Sequence, residues 1–532
     1  MITGQRAGRT LVALSVVTAL VAVAPLVYLV VRVIDAGIPQ AVAVLLRPLT
    51  LQTAATSVAL VVVVVTACVI VGVPTAWLLT RCDLPLPAAW LGLMALPLAV
   101  PSYVAAYAWI SQFPAMSGFW AASLVLTLVS LPYVVIPTAA ALHSADAGLE
   151  EVARSLGRRP LSAFLSATFP QAWPATAAGA LLVGLYVLSD FGAVAIFRVD
   201  AFTRVIYTSY RASFDRTSAA VLALVLVALA LALVLVERRV RGAGRRWSVS
   251  SGASRPAERT RLTGAQRIAA LAWLTTIAIL ALGVPAVSLV MRLAQGSRFP
   301  LQAGELVSAA ISTIGVSALG AGVAVALAIP VGVLAARYRT PVSRTLETVS
   351  YAGHALPGVV VGLSLVFLTL NLFPGAYQTV ITLAIAYAVL FLPKAIGGTR
   401  TAVAAVPPAL EQTARTLGRG PWRAWTQTTL RLSLPGVAAS GLLVLLTAMK
   451  ELPATLMLRP TGLDTLATEL WTRTSVAAYG SAAPYAIALI ALAAIPAWLL
   501  SRTMTAAARQ SLAGKAGPEP TDTDLALSTA DV

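Results

Sequence analysis

The sequence predicts an all-α polytopic membrane protein with about twelve transmembrane helices in two six-helix repeats. Three observations predict it. The 532-residue chain is 58% hydrophobic and 11% charged, with a mean hydropathy of +0.85, too apolar for a soluble fold of that size. Apolar runs long enough to cross a bilayer recur along its whole length. A polar segment of 27 residues, Leu149–Ala175, returns 261 positions later as Leu410–Gly436.

The elements follow in chain order. Leu11–Val33 is too long for a signal-peptide core and lacks a cleavage pattern, so it reads as a retained first span. Further spans are expected near 52–80, 88–110, 120–142, 174–197 and 217–236, completing a first repeat over 1–236. Runs such as Leu60–Val65 do not alternate, which excludes transmembrane strands. Residues 237–267 are rich in Arg, Ser and Gly without apolar periodicity, the pattern of a flexible basic linker. A second repeat over 268–502 holds spans near 268–292, 306–335, 347–371, 376–399, 435–458 and 482–501. The remainder, 503–532, is expected to be a disordered tail, polar from Gly514 onward. Prolines inside spans, such as Pro74, Pro132 and Pro393, are tolerated where neighbouring groups satisfy the freed backbone.

The halves match beyond the duplicated segment. Leu131-Pro132 corresponds to Leu392-Pro393, Asp190 to Glu451 and Arg198 to Arg459, all at the offset of 261. Pro97 is paired with Pro357 at 260 and Arg81 with Arg337 at 256, as loop-length drift after duplication would give. Six spans return the chain to its starting side, so the repeats are parallel.

Basic residues set the orientation. With the N-terminus in the cytoplasm, inside segments carry 26 Lys and Arg, and outside ends and loops about 10. Both termini and both copies of the duplicated segment are then cytoplasmic, in a cell membrane. The net charge of +18 follows from topology and contact with anionic lipid headgroups. The lipid bilayer is therefore the expected partner, and nucleic acid is not.

Within the duplicated segment, Glu150, Ala153 and Leu156 fall at i, i+3 and i+6, roughly one face of a short helix. Gly157 is placed to end it, and Pro160 blocks continuation. Glu411, Ala414, Leu417, Gly418 and Pro421 repeat the pattern. One such helix would be an ordinary connector packed on its own bundle. Two matched helices at corresponding places point to two docking points for one symmetric partner.

The Glu-x-x-Ala-x-x-x-Gly pattern with a later proline, here Glu150, Ala153, Gly157, Pro174 and Glu411, Ala414, Gly418, Pro435, resembles the coupling loop of permeases in binding-protein-dependent ABC importers. Both copies depart from the commonest form, which has two adjacent alanines. The fused layout, Met449–Pro460, Thr465–Thr468 and Trp471 resemble the ferric-iron branch, whose relatives carry thiamine or aminophosphonates. The resemblance implies a type I importer permease fold and alternating access. It also implies an ABC ATPase, expected as a dimer with one copy under each loop, and an extracytoplasmic substrate-binding protein. Ferric iron is the expected cargo, with thiamine, aminophosphonate or polyamine as alternatives.

The chain is not expected to be an enzyme. It has no Gly-x-x-x-x-Gly-Lys-Ser/Thr phosphate loop, since Gly514-Lys515-Ala516 lacks both spacing and hydroxyl, so ATP would be bound by a partner subunit. No cofactor is expected in the chain itself. Two histidines, His143 and His354, and two cysteines, Cys68 and Cys82, give poor support for a resident metal site. His354 reads as an interior helix residue. Asp190 and Glu451 are placed well along the fifth and eleventh spans, towards the outer side. Carboxylates at such depth usually face a bundle interior or wet cavity, which makes the two a candidate translocation-path pair. The alternative is that they cap or pair with Arg198, Arg459 or Lys450 near the interface. A secondary transporter of two six-span halves would share span count and symmetry, but has no reason to keep two matched docking helices.

Overall fold

The computed structural model describes residues 7–211, 213, 215–244, 259–296, 303–338 and 340–513. Ten helices among them are long and apolar enough to cross a membrane, and twelve spans result when each of two bent pairs counts as one. The first repeat runs Arg9–Ala36, Pro48–Arg81, the bent pair Pro87–Ala99 and Ser102–Gln112, Gly118–Ser144, Phe164–Ser189 and Arg216–Gly244. The second runs Gly264–Gln295, Ala303–Arg337, the bent pair Pro341–Gly353 and Gly358–Leu372, Val380–Ala404, Pro421–Ala448 and Tyr479–Ala513. The chain is a polytopic all-α membrane protein.

Local sequence sets many of these boundaries. Proline opens helices at Pro48, Pro87, Pro341, Pro421 and Pro453, where its missing N–H has no intrahelical role. Thr379 and Thr465 cap the helices that follow, accepting from the N–H of Thr382 and Thr468.

The bent third and ninth spans correct one pairing. Each breaks sharply, at 92° and 97°, and Pro101 and Pro357 occupy the N-cap of the helix after the break. Pro101, not Pro97, is therefore the counterpart of Pro357. Their offset is 256, the same as that of Arg81 and Arg337. Proline recurs every few residues here, so spacing alone matched the wrong one.

The two halves interlock. The first span packs on the eighth and ninth spans of the other half, and Thr18 Oγ1 donates to Leu327 O at 2.8 Å. The seventh span reciprocates against the first half. Trp273 Nε1 donates to Thr75 Oγ1 at 3.0 Å, and Ser288 Oγ to Ala108 O at 2.7 Å. Without a hydrophobic driving force between helices in lipid, such polar contacts and close packing hold spans together.

The expected linker is ordered at both ends. The sixth span continues as helix to Gly244, past the expected end at 236. Thr260 bonds backbone at Arg81 and Asp83. Leu262 N donates to Asp83 Oδ1 at 2.8 Å, and Arg267 pairs with Asp83 at 2.7 Å. A carboxylate with two separate donors anchors a segment that composition reads as free. Residues 245–258 and 514–532 lie outside the described residues, as does the side chain of His354. The tail is helical through Ala513, where disorder from 503 was expected.

Candidate functional site

Two sites emerge from corresponding parts of the repeats. The first is the pair of surface helices, Ala147–Ser155 and Pro408–Thr416. Both end in the same hydrogen-bonded turn. Gly157 N donates to Arg154 O at 3.0 Å and Arg158 N to Ala153 O at 3.2 Å. In the second copy, Gly418 N donates to Arg415 O at 3.0 Å and Arg419 N to Ala414 O at 3.1 Å. This is a Schellman turn, which needs a left-handed residue, and φ is +84° at Gly157 and +80° at Gly418.

Each helix is clamped to its own bundle by the same groups. Thr168 Oγ1 donates to Glu150 Oε2 at 2.5 Å, and its counterpart Thr429 Oγ1 to Glu411 Oε2 at 3.1 Å. The arginine ending the second or eighth span completes the clamp. Arg81 donates to Ala145 O at 3.4 Å, and Arg337 to Val406 O at 2.9 Å, the equivalent carbonyl. Each arginine lies within electrostatic reach of its glutamate, Arg81 of Glu150 and Arg337 of Glu411. Both threonines lie in a π-helical turn opening the fifth and eleventh spans.

The clamp redistributes the predicted face. Glu150, Ala153, Glu411 and Ala414 are half-buried against the chain's own bundle. The outward surface is instead Leu149, Val152 and Leu156, with Leu410, Thr413 and Leu417 in the second copy. Leu156 and Leu417 are each 78% exposed, so neither shares the face of its Glu and Ala. At 3.6 residues per turn, i+6 falls about 120° from i, so the spacing itself carries each leucine off the Glu face.

The second site is a cavity of about 610 Å³ between the halves, lined by Tyr133, Tyr186, Asp190, Lys394, Lys450 and Glu451 among others. Asp190 and Glu451 do not lie well along their spans. The fifth span starts at Phe164 and the eleventh at Pro421, earlier than hydropathy suggests, so both carboxylates fall just beyond the span ends. The early turns are polar yet helical, and hydroxyls such as Ser166 and Thr428 find their own partners in carbonyls one turn back.

Each carboxylate caps the short helix that follows it. Asp190 is buried; Oδ2 accepts from Ala193 N at 2.9 Å and Val194 N at 3.3 Å, and Oδ1 accepts from the Ser102 hydroxyl. Glu451 Oε1 accepts from Ala454 N at 3.0 Å, the position equivalent to Ala193. Ser102 and Gly358, the first residues after the two span breaks, correspond at offset 256. A Cβ on Gly358 would overlap the Glu451 carboxylate. The shorter acid thus stands beside serine, and the longer acid beside glycine. Of the suggested basic partners, Arg459 turns instead to Asp464.

Lysines occupy the cavity in the second half alone. Lys394 stands where the first half has Tyr133, and Lys450 where it has Ser189. Among the described residues, neither forms an ion pair. Lys450 Nζ donates to Leu98 O at 3.4 Å, and Lys394 Nζ sits 5.3 Å from the centre of the Phe391 ring.

Sequence reasoning missed Thr168 and Thr429, although they are identical at offset 261. It also missed Ser102 and Gly358, which become comparable only once the span breaks are aligned. Trp471, noted in sequence, packs on Phe191 of the other half with ring centres 5.1 Å apart.

Two interlocked six-span repeats, matched surface helices and a polar cavity between the halves define a two-repeat membrane permease. Residues 69–242 and 328–503 match the family described as "Binding-protein-dependent transport system inner membrane component", once in each half. The chain belongs to that family. It is 34% identical to the Fe(3+)-transport system permease protein FbpB 2 of Haemophilus influenzae, over 90% of this chain and 95% of that one. It is 33% identical over 164 residues to the molybdenum transport system permease protein ModB of Mycobacterium tuberculosis, covering 28% of this chain and 60% of the relative. It is 30% identical over 141 residues to the sulfate transport system permease protein CysT of Salmonella typhimurium, covering 24% and 50%.

Proposed function

We propose that this chain is the membrane subunit of an ATP-driven importer that carries ferric iron into the cytoplasm. The observation that carries the reading is the pair of surface helices with the same clamp and turn in both repeats. A dimeric ATPase would hold each outward apolar face in one subunit. ATP-driven closure would pull both helices together and rock the halves around the central cavity. The clamps make this transmission direct, because Glu150 and Glu411 tie each surface helix to the spans behind it. The helices and both termini would face the cytoplasm, as the basic residues favour, and a binding protein would deliver cargo at the other face. ATP binding and hydrolysis would belong to the partner. Similarity over nearly the full length to a ferric-iron permease supports the choice of cargo.

The test is radiolabelled iron uptake under iron limitation in a deletion strain of the source organism, with and without the restored gene. Restoration by the wild-type gene, and failure by a Gly157→Pro, Gly418→Pro double variant that still reaches the membrane, is the expected result. Unchanged iron uptake after deletion would count against iron, and full transport by the double variant would count against the docking helices.

A further inference from the structure

The cavity's charged groups are not equivalent in what they leave available. Both carboxylates have local donors: Asp190 has two backbone N–H groups and a hydroxyl, and Glu451 has one backbone N–H. Lys394 and Lys450 line the same cavity with no carboxylate in ion-pair contact. Hydrogen bonds do not cancel the carboxylate charges, and Glu451 lies within electrostatic reach of Lys394, but the ammonium groups keep donors free to meet a ligand. Formally, two lysines balance two acids, and a bare trivalent cation would leave its whole charge uncompensated. Ion desolvation costs are severe at membrane depth and rise steeply with charge. Among the described residues, no three His, Cys, Asp or Glu side chains stand together as a ready cation cage.

Resting on the iron reading above, we propose that the cavity receives ferric iron as an anionic complex with oxygen ligands, and that Lys394 and Lys450 hold the anionic ligand. The complex carries its own coordination shell, so the protein need not build one. Its anionic oxygens meet ammonium groups that form no ion-pair contact among the described residues. The phenols of Tyr133 and Tyr186 on the opposite wall add hydrogen-bonding capacity without charge. The two walls then have different tasks, and the repeats have diverged at these positions accordingly.

The test uses proteoliposomes holding the permease with its ATPase, ATP inside and the binding protein outside. Radiolabelled ferric iron is supplied with radiolabelled citrate in one arm and radiolabelled phosphate in another. The expected result is that iron enters together with one labelled anion in a constant ratio. Lys394→Gln and Lys450→Gln should each lower uptake of both labels about tenfold, equivalent to about 1.4 kcal/mol. Lys394→Arg and Lys450→Arg should retain most uptake, since they keep the charge. Iron entering with neither anion would overturn the proposal while leaving the importer reading intact. Anion entering without iron, or no iron entering at all, would overturn the iron reading and this proposal with it. Full uptake by both glutamine variants would also overturn it. Should those variants fail to accumulate in the membrane, the wild-type ratio of iron to anion decides alone.

Discussion

The surface helices and the cavity walls arose from the same duplication, yet they have diverged to different extents. In the surface helices, glutamate, threonine, arginine, acceptor carbonyl and left-handed glycine all recur in equivalent contacts. In the cavity, Tyr133 becomes Lys394, Ser189 becomes Lys450, and Ser102 with Asp190 becomes Gly358 with Glu451. A symmetric partner demands the same contact twice. A cargo passing between two walls makes no such demand, so each wall can supply different chemistry.

The largest expected effect comes from breaking the symmetric region. Proline cannot adopt the φ of +84° or +80° found at these glycines, and it removes the N–H that closes the turn. Gly157→Pro or Gly418→Pro should lower transport at least about tenfold while the protein still inserts. Transport and ATPase stimulation, measured against membrane abundance, check this. The halves should respond alike, and tolerance of either change would break the comparison.

The cavity acids should respond unequally. An amide in place of Asp190 disturbs three donors at a buried position, whereas Glu451 is half-buried and accepts from one backbone group. Asp190→Asn should cost about 1–3 kcal/mol of stability. Glu451→Gln should cost less stability but still reduce transport. Thermal unfolding in detergent beside transport assays separates the two effects. Equal stability losses would show that the walls are more alike than their contacts imply.

A smaller and sharper test exchanges the wall chemistry. Gly358→Ser places a Cβ against Glu451 and should destabilise by about 1–3 kcal/mol. Adding Glu451→Asp rebuilds the first-half arrangement and should recover much of the loss. A coupling energy of about 0.5–3 kcal/mol in the double-mutant cycle is expected. Additive effects would mean that the Ser–Asp and Gly–Glu pairs are not compensating.

Much of this organisation was legible in sequence. Hydropathy gave the span count because membrane helices need long apolar runs. The 261-residue offset gave the repeats, the surface helices and the corresponding acids. What escaped depends on local geometry. Polar first turns of the fifth and eleventh spans hid their helicity, and so misplaced Asp190 and Glu451 along the spans. The correspondence of Pro101 with Pro357 required the breaks to be seen. Ala153 and Ala414 share the face of their glutamates by spacing, and the clamp through Glu150 and Glu411 turns that side inward. The docked end of the linker depends on the single carboxylate Asp83, which composition averages away.

The smallest predicted effect lies at that linker. Hydrogen bonding from the Leu262 amide, with attraction from Arg267, holds the Asp83 carboxyl below its ordinary value of 3.8. A depressed carboxylate stabilises the docked form above its unfolded pKa, and that contribution disappears as pH falls through the folded value. Proteolytic cleavage near 259–263 should therefore be slow at neutral pH and faster below about pH 4, with Asp83→Asn faster at neutral pH. A flat pH profile in the wild type would remove Asp83 from the anchoring role.

The central claim is that the two surface helices are equivalent docking points for one symmetric ATPase. It is tested most directly by cross-linking from Val152→Cys and Thr413→Cys, exposed counterparts at offset 261, after removal of Cys68 and Cys82. With a single cysteine introduced on the ATPase, both positions should cross-link to that same site with similar yield, and the double variant should capture two ATPase copies per permease. Capture at one position only, or at unrelated ATPase sites, would contradict the account.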